Sequence, residues 1–317
     1  MSGRSKNSFD SLYLGKDKIP ASNFNSLVLR WLKDEIRVRE HSPAAAFLPV
    51  RTLFDVEFEL LCAVHGRRSA HRILLSRMTP LLLEVNIGKH LEGRLVGDLI
   101  NQTGFRTALS QGQAKNNGEN FVNAIVYSLA SLLSGQDRVL VDKGTPPCLK
   151  ELLTLKRVVS VGGEDIEFKI PIECDFAIYS RENPSCAIVM SAKTRLKEVF
   201  HVGTMWKILF DMAGDDYCEK KWDLRSSGST SEVNYCFATA DMIPAGGAKT
   251  QGPDVERDKP RNLIAMDASF FDYVFVSKTG IGHVASKLNI ASTREALFHE
   301  LGCLVDMIEQ KFGLDLA

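Results

Sequence analysis

The feature that most constrains the fold of this chain is a strand-like run at residues 187–191, apolar up to its last residue Ser191, which ends two positions before Lys193. A second β-prone run at residues 174–179 precedes it across a short turn. Continuous apolar strands are typical of sheets that are covered on both faces. The two runs therefore predict neighbouring strands of a buried sheet.

The rest of the chain alternates between extended and helical patterns. Further strands are predicted at residues 157–161, 166–170, 233–240 and 271–277, and helices at residues 119–133, 198–212 and 292–311. Asn117 is the expected N-cap of the first of these helices, and Ser292 or Thr293 that of the last. This order predicts an α/β (α+β) fold in which helices flank a mixed central sheet.

The first part of the chain has a different character, because apolar residues recur there at helical spacing. Helices are predicted at residues 23–38, 54–64 and 69–78. The polar segment 110–118 is the clearest candidate boundary. We therefore expect a mainly helical N-terminal region at residues 1–110 and a second domain at residues 111–317. A Gly- and Pro-rich stretch at residues 244–260 predicts a long loop.

Charge and cysteine content narrow the class of protein. The 39 basic and 39 acidic residues cancel, so only local clusters can attract an anionic partner. Such clusters occur at residues 67–72, 193–197 and 220–221, although a solvated helix surface is the commoner meaning of each one alone. The 7 cysteines form no CxxC pair, which argues against a disulfide framework or a zinc site.

Targeting and membrane signals point to the cytoplasm. The polar start of the chain does not resemble a signal peptide, and its apolar runs are too short to span a bilayer. We therefore expect a cytoplasmic protein.

Two charged residues lie at the ends of the paired strands. Asp175 begins or lies within the first, and Lys193 ends the second, so both can meet at one edge of an otherwise apolar sheet. Phosphodiester hydrolysis needs a carboxylate that holds a hard cation, and a positive group where negative charge develops. Asp175 suits the first role and Lys193 the second. Strand alternation places Ser191 on the same face as Lys193.

These residues resemble the PD-(D/E)xK nuclease superfamily, in which an Asp on one strand is followed by acid-x-Lys on the next. The match is Asp175 with Ser191-Ala192-Lys193, while Cys174 replaces the Pro and Ser191 replaces the second acid. The resemblance implies a PD-(D/E)xK nuclease core, Mg²⁺ as cofactor, and Asp175 as metal ligand.

The sequence after the lysine resembles restriction enzymes that recognise CCGG or CCNGG. In that family the lysine opens a Lys-x-x-x-basic-Glu segment, and Lys197 and Glu198 fit its base-reading positions. A basic side chain can donate to guanine, and a Glu can accept from cytosine N4. The resemblance also implies DNA contacts by Arg195, to a base or phosphate, and by His201, to phosphate or water.

The position of the second metal-binding acid is left open. In the same family it migrates to the following helix, but Trp206 and Lys207 stand there. The remaining candidates are Glu119, Glu198 and Asp211. Glu119 is favoured because an acid from the helix before the Asp strand often joins the site in the superfamily. An acid in a helix's first turn is equally explained by the helix dipole.

Together the resemblance implies a type II restriction endonuclease that cuts double-stranded DNA at a short palindromic site and leaves 5′-phosphates. A homodimer is expected, because two-fold DNA symmetry is matched by two-fold protein symmetry. The implied functional partner is a cognate DNA methyltransferase. The N-terminal region would then clasp DNA or mediate dimerisation, and residues 111–317 would form the catalytic domain.

Three other readings stay open. A repair, transposon or Holliday-junction nuclease would share the fold but read DNA shape. The missing acid also suits a non-catalytic DNA-binding protein on a nuclease scaffold. In an unrelated α/β enzyme, Asp175 would be structural and Lys193 surface charge. Against this last reading, the sequence has no Gly-rich phosphate loop, nucleophile elbow or HExxH motif.

Overall fold

A computed structural model describes residues 43–84, 103–194, 197–226, 230–240, 266–277 and 298–316. The helices are α1 Pro43–His65, α2 Arg67–Ser76, α3 Met78–Glu84, α4 Thr103–Leu132, α5 Lys197–Ala213, α6 Asp216–Trp222 and α7 Cys303–Phe312. The strands are β1 Val139–Lys143, β2 Thr154–Val161, β3 Glu164–Pro171, β4 Phe176–Ser180, β5 Ala187–Lys193, β6 Leu224–Ser226, β7 Val233–Thr239, β8 Val274–Val276 and β9 His299–Glu300.

The centre of the fold is a six-stranded mixed sheet with the order β1-β4-β5-β7-β8-β9. β4 is antiparallel to both β1 and β5, whereas β5, β7, β8 and β9 are parallel to their neighbours in turn. Every residue of β5 before Lys193 is buried. The predicted buried strand is therefore confirmed, and it lies inside the sheet rather than at an edge.

Helices cover both faces of this sheet. On one face, β4 and β5 share a core with α1, α2, α4 and α7, which includes Phe54, Ile125 and Leu304. On the other face, Phe200 and Phe210 of α5 pack with Val189 and Tyr235 of the sheet. The predicted mixed sheet flanked by helices is confirmed, and residues 43–84 contribute to the same core as the sheet.

A second, smaller sheet has the antiparallel order β3-β2-β6. It is largely exposed along β3, and Phe168 has 48% of its surface accessible. The predicted strands at residues 157–161 and 166–170 are confirmed as its central hairpin. Across the described ranges, no helix combines the length and the apolar character needed to cross a membrane.

The start of the long helix is predicted wrongly. α4 begins at Thr103, so Asn117 lies inside it and is not an N-cap, and the predicted boundary at residue 110 falls within the helix. Phe121, Ile125 and Leu129 are fully buried in the core. Tertiary packing of this face stabilises a helix that continues through Asn and Gly residues of weak intrinsic propensity.

The prediction of a single C-terminal helix at residues 292–311 is also wrong. Residues 299–300 form β9 beside β8, and α7 begins only at Cys303. Pairing with the sheet edge and close packing of Gly302 on α2 override the helical periodicity of this segment. The strand predicted at residues 271–277 is confirmed only as the shorter β8. The predicted helix at residues 23–38 and loop at residues 244–260 lie outside the described residues.

Candidate active site

The candidate site lies where β4 begins and β5 ends. Asp175 directly precedes β4, and backbone hydrogen bonds hold it in the sheet: its N–H donates to Met190 and its carbonyl accepts from Gly144, both over 2.8 Å. Phe176 and Met190 form the last pair of the antiparallel register between β4 and β5, and Asp175 lies one residue beyond that pair.

Asp175 and Lys193 are in direct contact. The Nζ of Lys193 donates a hydrogen bond to Oδ2 of Asp175 over 2.9 Å. The same oxygen accepts the backbone N–H of Ala192 over 2.7 Å, which fixes the orientation of the carboxylate. The predicted meeting of these two charged groups is confirmed, while their catalytic roles stay predictions.

Glu173 is a third member of the cluster, and sequence reasoning assigned it no role. Its Oε1 accepts a short hydrogen bond from the same Nζ of Lys193. Glu173 and Asp175 are two positions apart, and this period-two spacing is the signal that predicts a shared face. A single ammonium therefore bridges two carboxylates.

Tyr235 of β7 contacts the backbone of this cluster. Its hydroxyl donates to the backbone carbonyl of Glu173 over 2.8 Å. Burial, followed by the negative charges of Glu173 and Asp175, raises the pKa of Tyr235 far above its ordinary value. The phenol thus remains a neutral donor that anchors the backbone of Glu173.

The electrostatics keep Lys193 charged. Burial alone would lower the pKa of Lys193, but hydrogen bonds to Glu173 and then Asp175, together with their charges, outweigh it and raise that pKa above its usual value. The side chains of Lys193, Glu173 and Asp175 are 22%, 28% and 25% exposed, so solvent reaches all of them. Lys193 is therefore a partly exposed ammonium.

Ser191 occupies the position of the second acid in the PD-(D/E)xK pattern. It is fully buried, and its Oγ has no hydrogen-bond partner among the described residues. An unsatisfied buried hydroxyl costs about 1–3 kcal/mol. β5 therefore carries, two residues before Lys193, a polar oxygen that the described protein groups do not satisfy.

The donor set fits the Mg²⁺ that the resemblance implies. Glu173 and Asp175 offer carboxylate oxygens that both bind the ammonium of Lys193, and Ser191 carries a buried hydroxyl two residues before that lysine. Within the described ranges, no group of three or more His, Cys, Asp or Glu side chains forms a metal cage. Mg²⁺ does not require one, because it keeps several waters and is often held by one or two carboxylates with substrate phosphates.

Glu119 lies at the same end of the sheet but in a different contact. Its carboxylate accepts a hydrogen bond of 2.8 Å from Lys143 of β1, whose neighbour in the sheet is Phe176. The helix that carries Glu119 packs on the face opposite to α5. The structure thus pairs Glu119 with Lys143, whose strand partner Phe176 directly follows Asp175 in the chain.

The other predicted residues are spread along α5. Asp211 is 55% exposed and pairs with Lys207 at 2.5 Å, one turn away. The Nδ1 of His201 lies 3.2 Å from the carboxylate of Asp267, which is buried. Lys197 and Glu198 form the first turn of α5. Arg195 lies outside the described residues.

Comparisons with known proteins show a likeness to solved structures. No family model and no curated protein matches the chain. Among solved structures, it is similar to the restriction endonuclease PspGI in complex with substrate DNA, with a TM-score of 0.43 and 12% sequence identity. The match covers 84% of this chain and 93% of that chain. Similarity at this level transfers no residue role, activity or partner.

Proposed function

We propose that this chain is a type II restriction endonuclease that hydrolyses double-stranded DNA with Mg²⁺ as cofactor and leaves 5′-phosphates. The observation that carries the proposal is the 2.9 Å contact between Lys193 and Asp175 at the end of an apolar central strand. A PD-(D/E)xK-type site requires this pairing of a metal-binding Asp with a Lys from the adjacent strand. The motif residues are 18 positions apart in sequence, so their contact depends on the fold.

Each residue of the proposed site has a separate task. Mg²⁺ would neutralise charge on the scissile phosphate and make a bound water more acidic. Asp175 would hold the cation, in the orientation fixed by the N–H of Ala192. Lys193 would stabilise the negative charge that develops on the phosphate, which suits a lysine whose raised pKa keeps it protonated. Ser191 would contribute its buried hydroxyl beside Asp175.

DNA reading is proposed for the segment that connects the site to α5. β5 ends at Lys193 and α5 begins at Lys197, so the reading residues follow the catalytic strand directly. Lys197 would donate to guanine, and Glu198 would accept from cytosine N4. Arg195 would contact a base or a phosphate, and His201 a phosphate or water. The proposed recognition site is palindromic and has a CCGG or CCNGG core. The enzyme would act as a homodimer, with a cognate DNA methyltransferase as its functional partner.

The resemblance offers Glu119, Glu198 and Asp211 for the second metal-binding acid. Two of them are already engaged, since Glu119 pairs with Lys143 at 2.8 Å and Asp211 with Lys207 at 2.5 Å. Glu119 retains its favourable place in the chain order, in a helix that precedes the Asp strand. Its recruitment would require the ion pair with Lys143 to break.

The test is incubation of the purified protein with phage DNA in Mg²⁺ or in EDTA, with the fragment ends sequenced. The proposal expects discrete fragments only with Mg²⁺, and ends that define one site. Intact DNA across several DNAs and divalent metals, together with a gel shift, would instead identify a non-catalytic DNA-binding protein. Cleavage confined to branched or damaged DNA would identify a structure-specific nuclease.

A further inference from the structure

We infer that Glu173 supplies the second carboxylate of the divalent-cation site, a role that in the PD-(D/E)xK pattern belongs to the position of Ser191. The inference rests on the proposed function, because the cation is the one that would serve phosphodiester hydrolysis. It differs from the pattern in the origin of the acid, which here comes from the same strand segment as Asp175.

The first argument is that both carboxylates already bind one cationic group. The Nζ of Lys193 donates to Glu173 and, over 2.9 Å, to Asp175. Oxygens that can both reach a single ammonium are close enough to share a metal ion. Because both side chains are about one-quarter exposed, at 28% and 25%, a hydrated ion has access to them.

The second argument is the buried hydroxyl of Ser191. It is fully enclosed, has no partner among the described residues, and lies two residues before Lys193 on the same strand, so the two side chains share one face. An unsatisfied buried oxygen on this face calls for a polar ligand, independently of the two acids. A neutral hydroxyl cannot replace the charge of a carboxylate, so the site needs a second acid from elsewhere.

The third argument is that the backbone of Glu173 is held in place. Its carbonyl accepts a hydrogen bond of 2.8 Å from the hydroxyl of Tyr235, which is fully buried. The next residue but one, Asp175, is tied to both neighbouring strands. A ligand on an ordered backbone loses little conformational freedom when it binds a metal ion.

Lys193 has a defined place in this arrangement. Its ammonium offsets one of the two carboxylate charges, and a divalent cation would compete with it for their oxygens. Replacement of Lys193 by Met removes the competing charge and retains the aliphatic stem. Metal affinity of the K193M protein is therefore expected to equal or exceed that of the wild type.

The experiment measures Mn²⁺ binding to the full-length protein by electron paramagnetic resonance, without reference to activity. Glu173→Gln is expected to weaken Mn²⁺ binding by about tenfold or more. Even the mutation of a residue that only hydrogen-bonds to a metal ligand weakens metal affinity by at least about this factor. Glu164→Gln, an exposed acid at the start of β3, is the matched control and should bind as the wild type does. Glu119→Gln tests the competing acid and should also bind normally.

A double variant adds a gain of function. Glu173→Gln combined with Ser191→Asp moves the acid to the position that it occupies in the PD-(D/E)xK pattern, and it is expected to restore Mn²⁺ binding. Thermal unfolding of every variant identifies any that fail to fold, and the single Glu173→Gln and Glu119→Gln variants decide the question without the double one. Unchanged binding in Glu173→Gln, loss in Glu119→Gln instead, or no binding by the wild type would each overturn the inference.

Cleavage of phage DNA separates this inference from the proposed function. If Glu173→Gln both binds Mn²⁺ and cuts DNA normally, the nuclease function is supported and the role of Glu173 is contradicted. If the wild type binds Mn²⁺ through Glu173 but cuts no DNA, the metal site is supported and the nuclease function is contradicted.

Discussion

The ammonium of Lys193 lies 2.9 Å from Oδ2 of Asp175, and that oxygen also accepts the N–H of Ala192. The pair lies at the end of a strand whose other residues are buried, most of them apolar. Partly buried ion pairs are poor sources of stability, because desolvation offsets their attraction. Their position here therefore favours a functional role over a structural one.

Base discrimination is predicted to depend on Glu198. Its replacement by Ala removes the proposed acceptor for cytosine N4, and each good base contact contributes about 1–3 kcal/mol of discrimination. Cleavage rates on the cognate site and on sites with one C·G pair changed measure the effect. Glu151→Ala, at an exposed turn before β2, is the control. Unchanged discrimination in the Glu198 variant would remove this residue from the reading segment.

Stability is predicted to fall below neutral pH because of His71. Burial, followed by the charge of Arg67, lowers the pKa of His71 to about 4, and its ring contacts Ser128 at 3.0 Å. The unfolded chain, with a pKa near 6.5, binds a proton that the folded protein excludes. Stability is thus complete above about pH 6.5 and is lost as the pH falls toward 4, by up to about 3 kcal/mol.

Unfolding midpoints in urea at pH 7 and pH 5 check this dependence. His71→Gln cannot take up the proton, so the variant should be less stable at pH 7 but lose less stability between the two pH values. An equal loss in both proteins would assign the acid sensitivity to other groups.

The continuity of α4 predicts that Gly118→Ala stabilises the protein. Gly118 lies inside the helix, and a Cβ there meets nothing within 4 Å. Alanine in a helix interior is favoured over glycine by about 0.5–1 kcal/mol. Urea unfolding should show this gain. A loss of stability would indicate that the helix begins after Gly118, as its sequence alone suggests.

Gly302→Ala is predicted to have the opposite effect. A Cβ at Gly302 would stand 2.4 Å from the carbonyl oxygen of Arg72 and 2.6 Å from the hydroxyl of Ser76. α7 would have to move away from α2, which we expect to cost about 1–3 kcal/mol. The same urea titration measures it, with Gly118→Ala as the matched substitution at an open position. Unchanged stability would contradict this close approach.

The core of the fold and the central pair of the site were predictable from local patterns. The apolar run that became β5, the strand next to it and the helix after it are long or strongly apolar signals, and Asp175 and Lys193 follow from their ends. The order of the sheet was not predictable, because the pairing of β5 with β7 joins residues far apart in sequence.

The failures have physical causes. Asn117 and Gly118 look like a helix start, but packing of the residues that follow keeps them helical. The C-terminal helical pattern yields to strand pairing of residues 299–300. Glu173 was missed because one acid near another is common on protein surfaces, and only its contact with Lys193 distinguishes it.

The most direct test of the central claim compares the wild type with Lys193→Met on phage DNA. The account predicts discrete fragments from the wild type only with Mg²⁺. The Lys193→Met variant should cut at least about 10²–10³-fold more slowly, while it still folds and its DNA binding in Ca²⁺ stays unchanged. Wild-type cleavage rates in the variant, or a wild type that cuts no DNA under any of these conditions, would contradict the account.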